Sequence, residues 1–189
     1  MRHFRLPFCL ILIIMLTACS KSQFMDLSGF VASYNEVADS DIDLTDFIFI
    51  QQESREFKLI NGNVLLTLKE APDGKIMECR VMMTKLNEKG EQSENISADS
   101  KKFLSILKNT LQTFCSFDRY AADAIIGEFS LGELSSFLKE GELTKQQGNF
   151  YFVYYSTPLV CQVTVYNTYL SEIEPTEKPV SKATELFPK

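Results

Sequence analysis

Histidine is all but missing from this chain of 189 residues: there is one, His3, and it stands in a leading segment read below as cleaved. Without imidazole there is no Ser-His or Cys-His nucleophile pair, no histidine general base and no histidine metal ligand. Carboxylate-pair hydrolysis and Ser-Lys chemistry need only Asp, Glu, Ser and Lys, residue types too common on protein surfaces to discriminate anything. No Gly-rich phosphate loop and no internal repeat occur. Long apolar runs are lacking as well. The one candidate, Phe8 to Leu16, is ended by Ser20-Lys21-Ser22-Gln23, short of the roughly 20 residues needed to cross a bilayer. The spacing of the five cysteines, Cys9, Cys19, Cys79, Cys115 and Cys161, matches neither a CxxC nor a zinc pattern. No metal, no cofactor and no catalytic residue is expected.

What is present begins with Arg2 and Arg5, followed by the apolar run and then Leu16-Thr17-Ala18-Cys19. A basic start, a short apolar stretch and small residues at its end are the order of a secretory signal. The last four residues resemble the lipobox of bacterial lipoproteins: an aliphatic residue, two small residues, then the modified cysteine. The resemblance covers only this segment and carries no fold. It implies cleavage between Ala18 and Cys19, a diacylglyceryl group on the Cys19 thiol, and acylation, as with palmitate, of the freed amine. One acyl chain gives marginal, reversible membrane binding, whereas two or three make an anchor effectively permanent. In such lipoproteins an aspartate after the cysteine retains the protein in the inner membrane. Here Ser20 stands in that place, so the resemblance favours the periplasmic face of the outer membrane.

Removing the first 18 residues leaves 171, enough for one domain with a sizeable core. The chain holds 19 Lys plus Arg against 25 Asp plus Glu, and loss of Arg2 and Arg5 lowers the first count to 17. An acidic surface repels phosphate backbones, which excludes nucleic acid as a partner and favours a basic protein patch or cationic peptide. In an oxidising compartment, nearby thiols tend to pair. Of Cys79, Cys115 and Cys161, a bridge between Cys79 and Cys161 is one expectation, and three buried free thiols are the other.

Apolar residues at Phe24, Leu27, Phe30, Val31, Tyr34 and Val37 recur every three or four positions and predict an amphipathic helix over 24–38. Only Ser20 to Gln23 separate it from Cys19, a tether of about 15 Å at ~3.5 Å per residue, so the domain is held against its membrane. Strands are predicted at Asp46 to Gln51, Glu56 to Ile60, Val64 to Glu70 and Lys75 to Thr84. Asn61-Gly62 suits a type I′ hairpin turn and Pro72-Asp73-Gly74 the next turn. Alternation in the fourth strand puts Met77, Cys79, Val81 and Met83 on the core face. A polar loop over 87–97 leads to a helix over 99–115, followed by shorter helices over 118–126 and 131–139. Ser130 with Glu133 reads as a capping box of the last, and Gly141 as its stop. Strands at Phe150 to Tyr155 and Leu159 to Tyr166 close the domain, and 171–189, with three prolines, reads as a disordered tail.

The expected fold is therefore a single α+β domain over 24–170, in the order α-β-β-β-β-α-α-α-β-β, with a mostly antiparallel sheet packed by helices. The strand from Phe150 is aromatic on both faces: either the sheet is covered on both sides, or Tyr151 and Tyr155 form a surface for a partner. The functional expectation is a non-catalytic binding or accessory module, anchored through Cys19, that captures a protein near the membrane. An immunity or exclusion lipoprotein against an incoming toxin or element is a pointed form of that reading. A small-ligand carrier or a carboxylate-based hydrolase is the alternative from another class.

Overall fold

The computed structural model describes residues 24–38, 40–51, 55–86, 93–132, 137 and 139–170. The lipobox segment, the tether, most of the helix expected over 131–139, most of the loop over 87–97 and the tail over 171–189 lie outside those residues. Among the described residues seven strands form one antiparallel sheet: β1 (Ile48–Gln51), β2 (Glu56–Asn61), β3 (Val64–Glu70), β4 (Ile76–Thr84), β5 (Gly141–Gln147), β6 (Phe150–Ser156) and β7 (Val160–Asn167). Their order across the sheet is β1-β2-β3-β4-β7-β6-β5. Helices α1 (Leu27–Ala38), α2 (Ile96–Phe114) and α3 (Arg119–Glu128) complete an α+β fold.

The core lies between the helices and one sheet face. Register aligns Leu66 with Val81 and Val81 with Val163, and it aligns Leu68 with Cys79, Val165 and Phe152 across four neighbouring strands. All of these are buried. Rings from the helical side meet this face: Phe114 and Phe117 contact Phe150, Phe117 contacts Phe152, and Phe129 stacks on Tyr154. Burying such side chains contributes roughly 1.5–3 kcal/mol each, so a continuous apolar row across four strands fixes the register. Helix α1 starts where Asp26 Oδ1 accepts from the Gly29 N–H, a capping contact. Its buried stripe is Phe30, Val31 and Tyr34. Beyond it, Asn35 folds the chain back by bonding both the carbonyl and the N–H of Ile42.

Several expectations need correction. Strand β5 was not foreseen: Gly-Glu-Leu-Thr-Lys-Gln-Gln has one aliphatic residue, because a largely exposed edge strand has little apolar surface to bury. Gly141 opens this strand instead of stopping a helix. Met77 is only half-buried, since a register shift pairs Ile76 with Glu70 and Glu78 with Lys69 and leaves Met77 as the extra residue. Asn61 pairs with Val64, so the turn residues are Gly62 and Asn63. Of these only Gly62 has positive φ (64°), the pattern of a type II′ turn and not I′.

Candidate functional site

Helices cover one face of the sheet, and among the described residues none packs on the other. On that second face the register sets three rows across β2, β3, β4, β7 and β6. One row is Glu56, Lys69, Glu78, Tyr166 and Tyr151; the next is Lys58, Thr67, Arg80, Thr164 and Val153; the last is Ile60, Leu65, Met82, Gln162 and Tyr155. Short Thr67, Thr164 and Val153 are buried, ringed in the register by longer side chains.

The first two rows carry the charged and hydroxyl side chains of this face, joined in places by polar contacts, while the buried Arg80 Nε has no hydrogen-bond partner among the described residues. Arg80 donates to Glu78 Oε1 at 2.6 Å, and Gln162 donates to Thr164 Oγ1 at 2.9 Å. Burial, reinforced by the nearby Glu78 carboxylate, pushes the Tyr166 phenol up to about 12. For Arg80, burial opposes the charged form, and Glu78 overcomes it and holds the guanidinium above its usual range. Tyr151 rests against Tyr166, ring centres 6.4 Å apart, and is itself buried.

The third row differs. Ile60 is 60% exposed, while Leu65, Met82, Gln162 and Tyr155 are half-buried. It forms an amphipathic band across five strands, with carbon-rich side chains and one amide. Of the two tyrosines expected to serve a partner, Tyr155 lies in this band, whereas Tyr151 is buried against Tyr166 in the first row. Ile60, Leu65, Met82 and Gln162 were not singled out from sequence. Alternation in β4 signalled that Met82 opposes the core face, but only cross-strand register shows which residues share its row.

The band lies far from where the described chain begins. The Ile76 N–H donates to the Met25 carbonyl at 2.8 Å, and Phe24 contacts Tyr169 beyond β7. Met82 is six residues along β4 from Ile76, about 20 Å at ~3.3 Å per residue.

A second polar constellation occupies the sheet end nearest the band. Lys85 follows β4 and is 3% exposed. Its Nζ donates to Ser156 Oγ at 2.8 Å and to the Thr157 carbonyl at 2.7 Å. Burial lowers the Lys85 value, partly offset by Cys161 and Glu140. Ser156 donates in turn to the Lys139 carbonyl at 2.7 Å. A Ser-Lys nucleophile needs a lysine that accepts the hydroxyl proton and a hydroxyl facing substrate. Here the proton is aimed at a carbonyl and Ser156 is buried. The constellation staples β4, the lead into β5 and the β6–β7 turn together.

The bridge expected between Cys79 and Cys161 is not formed; Cys79, Cys115 and Cys161 are all free and buried. Cys79 stands opposite Val165 and Cys161 opposite Met83. Four residues of offset separate the two by about 13 Å along the strands, well beyond the ~4.4–6.8 Å between Cα atoms that a disulfide spans. Burial raises Cys79 and Cys115 well above the usual thiol value and Cys161 to about 12.

Among the described residues no group of three His, Cys, Asp or Glu side chains could hold a metal ion, and no helix is long and apolar enough to cross a membrane. Comparison with protein families, with curated proteins and with solved structures returned no match.

Proposed function

We propose that this protein is a membrane-anchored, non-catalytic binding module of a bacterial envelope, tethered by lipid on Cys19, which takes a protein partner on the band formed by Ile60, Leu65, Met82, Gln162 and Tyr155. The observation that carries the reading is the contrast between sheet rows. Two are rich in charged and hydroxyl side chains, joined at the Arg80–Glu78 pair and the Tyr151–Tyr166 contact, and one offers apolar and aromatic area without a described element over it. Aromatic and methionine side chains with an amide among them are the composition of interface centres. The placement agrees with a lipid tether. Five residues beyond Cys19 the chain enters beside Tyr169, so the anchored end and the band lie at opposite ends of β4. The band then lies at the end of the sheet farther from the bilayer, within reach of a partner that approaches the membrane.

Absence of histidine from the mature chain and a structural role for the Lys85–Ser156 pair support a binding role over a hydrolytic one. The test has two arms. Mass spectrometry of the protein purified from membranes should find Cys19 at the amino terminus carrying acyl chains; a bare Cys19, or residues 1–18 still attached, overturns the anchor. Crosslinking of the native lipidated protein should then give an adduct that Met82→Glu weakens and Cys19→Ala removes. Identical adducts from all three forms would overturn the band.

A further inference from the structure

The two edges of the sheet are built differently. At β5 the edge carries Glu142 and Lys145, and Lys145 pairs with Glu128 at the end of α3. Charged side chains of this kind deter edge-to-edge pairing. At the other edge β1 reads Ile-Phe-Ile-Gln, with no charge and no proline. Ile48 is 53% and Phe49 47% exposed, and among the described residues only β2 pairs with the strand. Its outer N–H and C=O groups form a ready template for another strand.

Charge at one end of β1 selects what would add there. Asp41, Asp43 and Asp46 precede the strand and are exposed, and none makes an ion pair among the described residues. Two of them are held in place: Asp43 Oδ1 accepts from the Thr45 N–H at 3.0 Å, and Asp46 Oδ2 from the Asp43 N–H at 2.7 Å. The negative charge therefore sits at a fixed position beside the strand's amino end. An antiparallel incoming strand brings its carboxyl end there. A second copy of this chain offers no complement, since an antiparallel pairing would bring the uncharged carboxyl end of its β1 to these aspartates and place its own aspartates at the far end.

We propose that β1 is a docking edge for an extended segment of a partner protein, apolar over three or four residues and followed at its carboxyl end by lysines or arginines. The irregular register between Phe49 and Gln51 limits the added ladder to a short one, which makes the basic tail a substantial share of recognition. This edge is separate from the band containing Tyr155 and is tested separately.

The probe is a fluorescent synthetic peptide of five alternating valines and threonines followed by three lysines, titrated by anisotropy against the mature lipidated protein in detergent micelles. Saturable binding is expected. Neutralising the three aspartates together (Asp41→Asn, Asp43→Asn, Asp46→Asn), which preserves their backbone contacts, should weaken it at least about tenfold. N-methylation at every second residue should abolish binding in one phase and spare it in the other, because alternate N–H groups face the protein. Moving the lysines to the amino end should weaken binding, and Tyr155→Ala should leave it unchanged. No saturable binding, equal binding by both methylated phases, or indifference to the aspartates overturns the proposal. A concentration-dependent dimer abolished by Ile48→Lys overturns it in favour of a second copy.

Discussion

Replacing Ser156 by alanine tests the reading of the Lys85 constellation. The hydroxyl is the acceptor for Lys85 Nζ at 2.8 Å and the donor to the Lys139 carbonyl at 2.7 Å, and Ser156 and Lys85 are 2% and 3% exposed. Its loss leaves the ammonium with the Thr157 carbonyl alone and the Lys139 carbonyl without this donor. A buried group stripped of its partner costs about 1–3 kcal/mol. With partial relaxation, Ser156→Ala should destabilise the protein by about 2–4 kcal/mol, or roughly 5–15 °C in Tm. Lys85→Met should cost less, about 1 kcal/mol, because it also removes the penalty of burying an ammonium and leaves Ser156 bonded to Lys139. The double variant should fall short of the sum by about 1–2 kcal/mol, since the shared contact is lost only once. Urea unfolding followed by circular dichroism measures all four proteins. A Ser156→Ala cost below about 0.5 kcal/mol, or strict additivity, would refute the staple.

The same lysine gives a pH prediction. Its folded value lies below the ordinary one, so the folded state disfavours the charged form. Stability attributable to Lys85 should rise with pH, from the folded value up to the ordinary value of about 10.4. Tyr154, Tyr166 and Cys161 are raised by burial and lose stability as pH climbs toward their folded values, so the Lys85 contribution is read as the difference between wild type and Lys85→Met. Ellman's reagent at pH 8 should leave Cys79, Cys115 and Cys161 unmodified in the native protein and label all three in urea; a Cys79–Cys161 bridge would leave only Cys115 to label. Phe152→Ala, in a fully buried site, should cost about 3–5 kcal/mol in urea unfolding, and Tyr120→Ala, 84% exposed, within about 0.5 kcal/mol of zero. Gly62→Ala, at φ 64°, should destabilise by about 1 kcal/mol or more by the same measurement, because alanine resists that backbone region.

Strands with a buried face were legible because alternation carries the signal. β3 spans Val64–Glu70 as its pattern predicts, and Cys79, Val81 and Met83 lie on the core face. Helix α2 has Phe103, Leu107, Leu111 and Phe114 buried at the expected spacing. Illegible features were those that depend on partners distant in sequence. β5 exists because β6 offers it a ladder, and Met77 turns partly away because β3 is one residue shorter there. The cysteine pairing failed because neighbouring strands can hold two residues on the same face yet far apart. Tyr151 and Tyr155 alternate identically in sequence; only the Tyr166 ring, supplied by β7, separates a packed tyrosine from one that offers area.

The most direct test of an anchored module that binds through its open sheet face is photocrosslinking in living cells. Benzoylphenylalanine in place of Tyr155 should give a discrete protein adduct that is absent when the same group replaces the exposed Lys101 of α2 and lost with Cys19→Ala. No adduct from position 155, or the same adducts from both positions, would contradict the account.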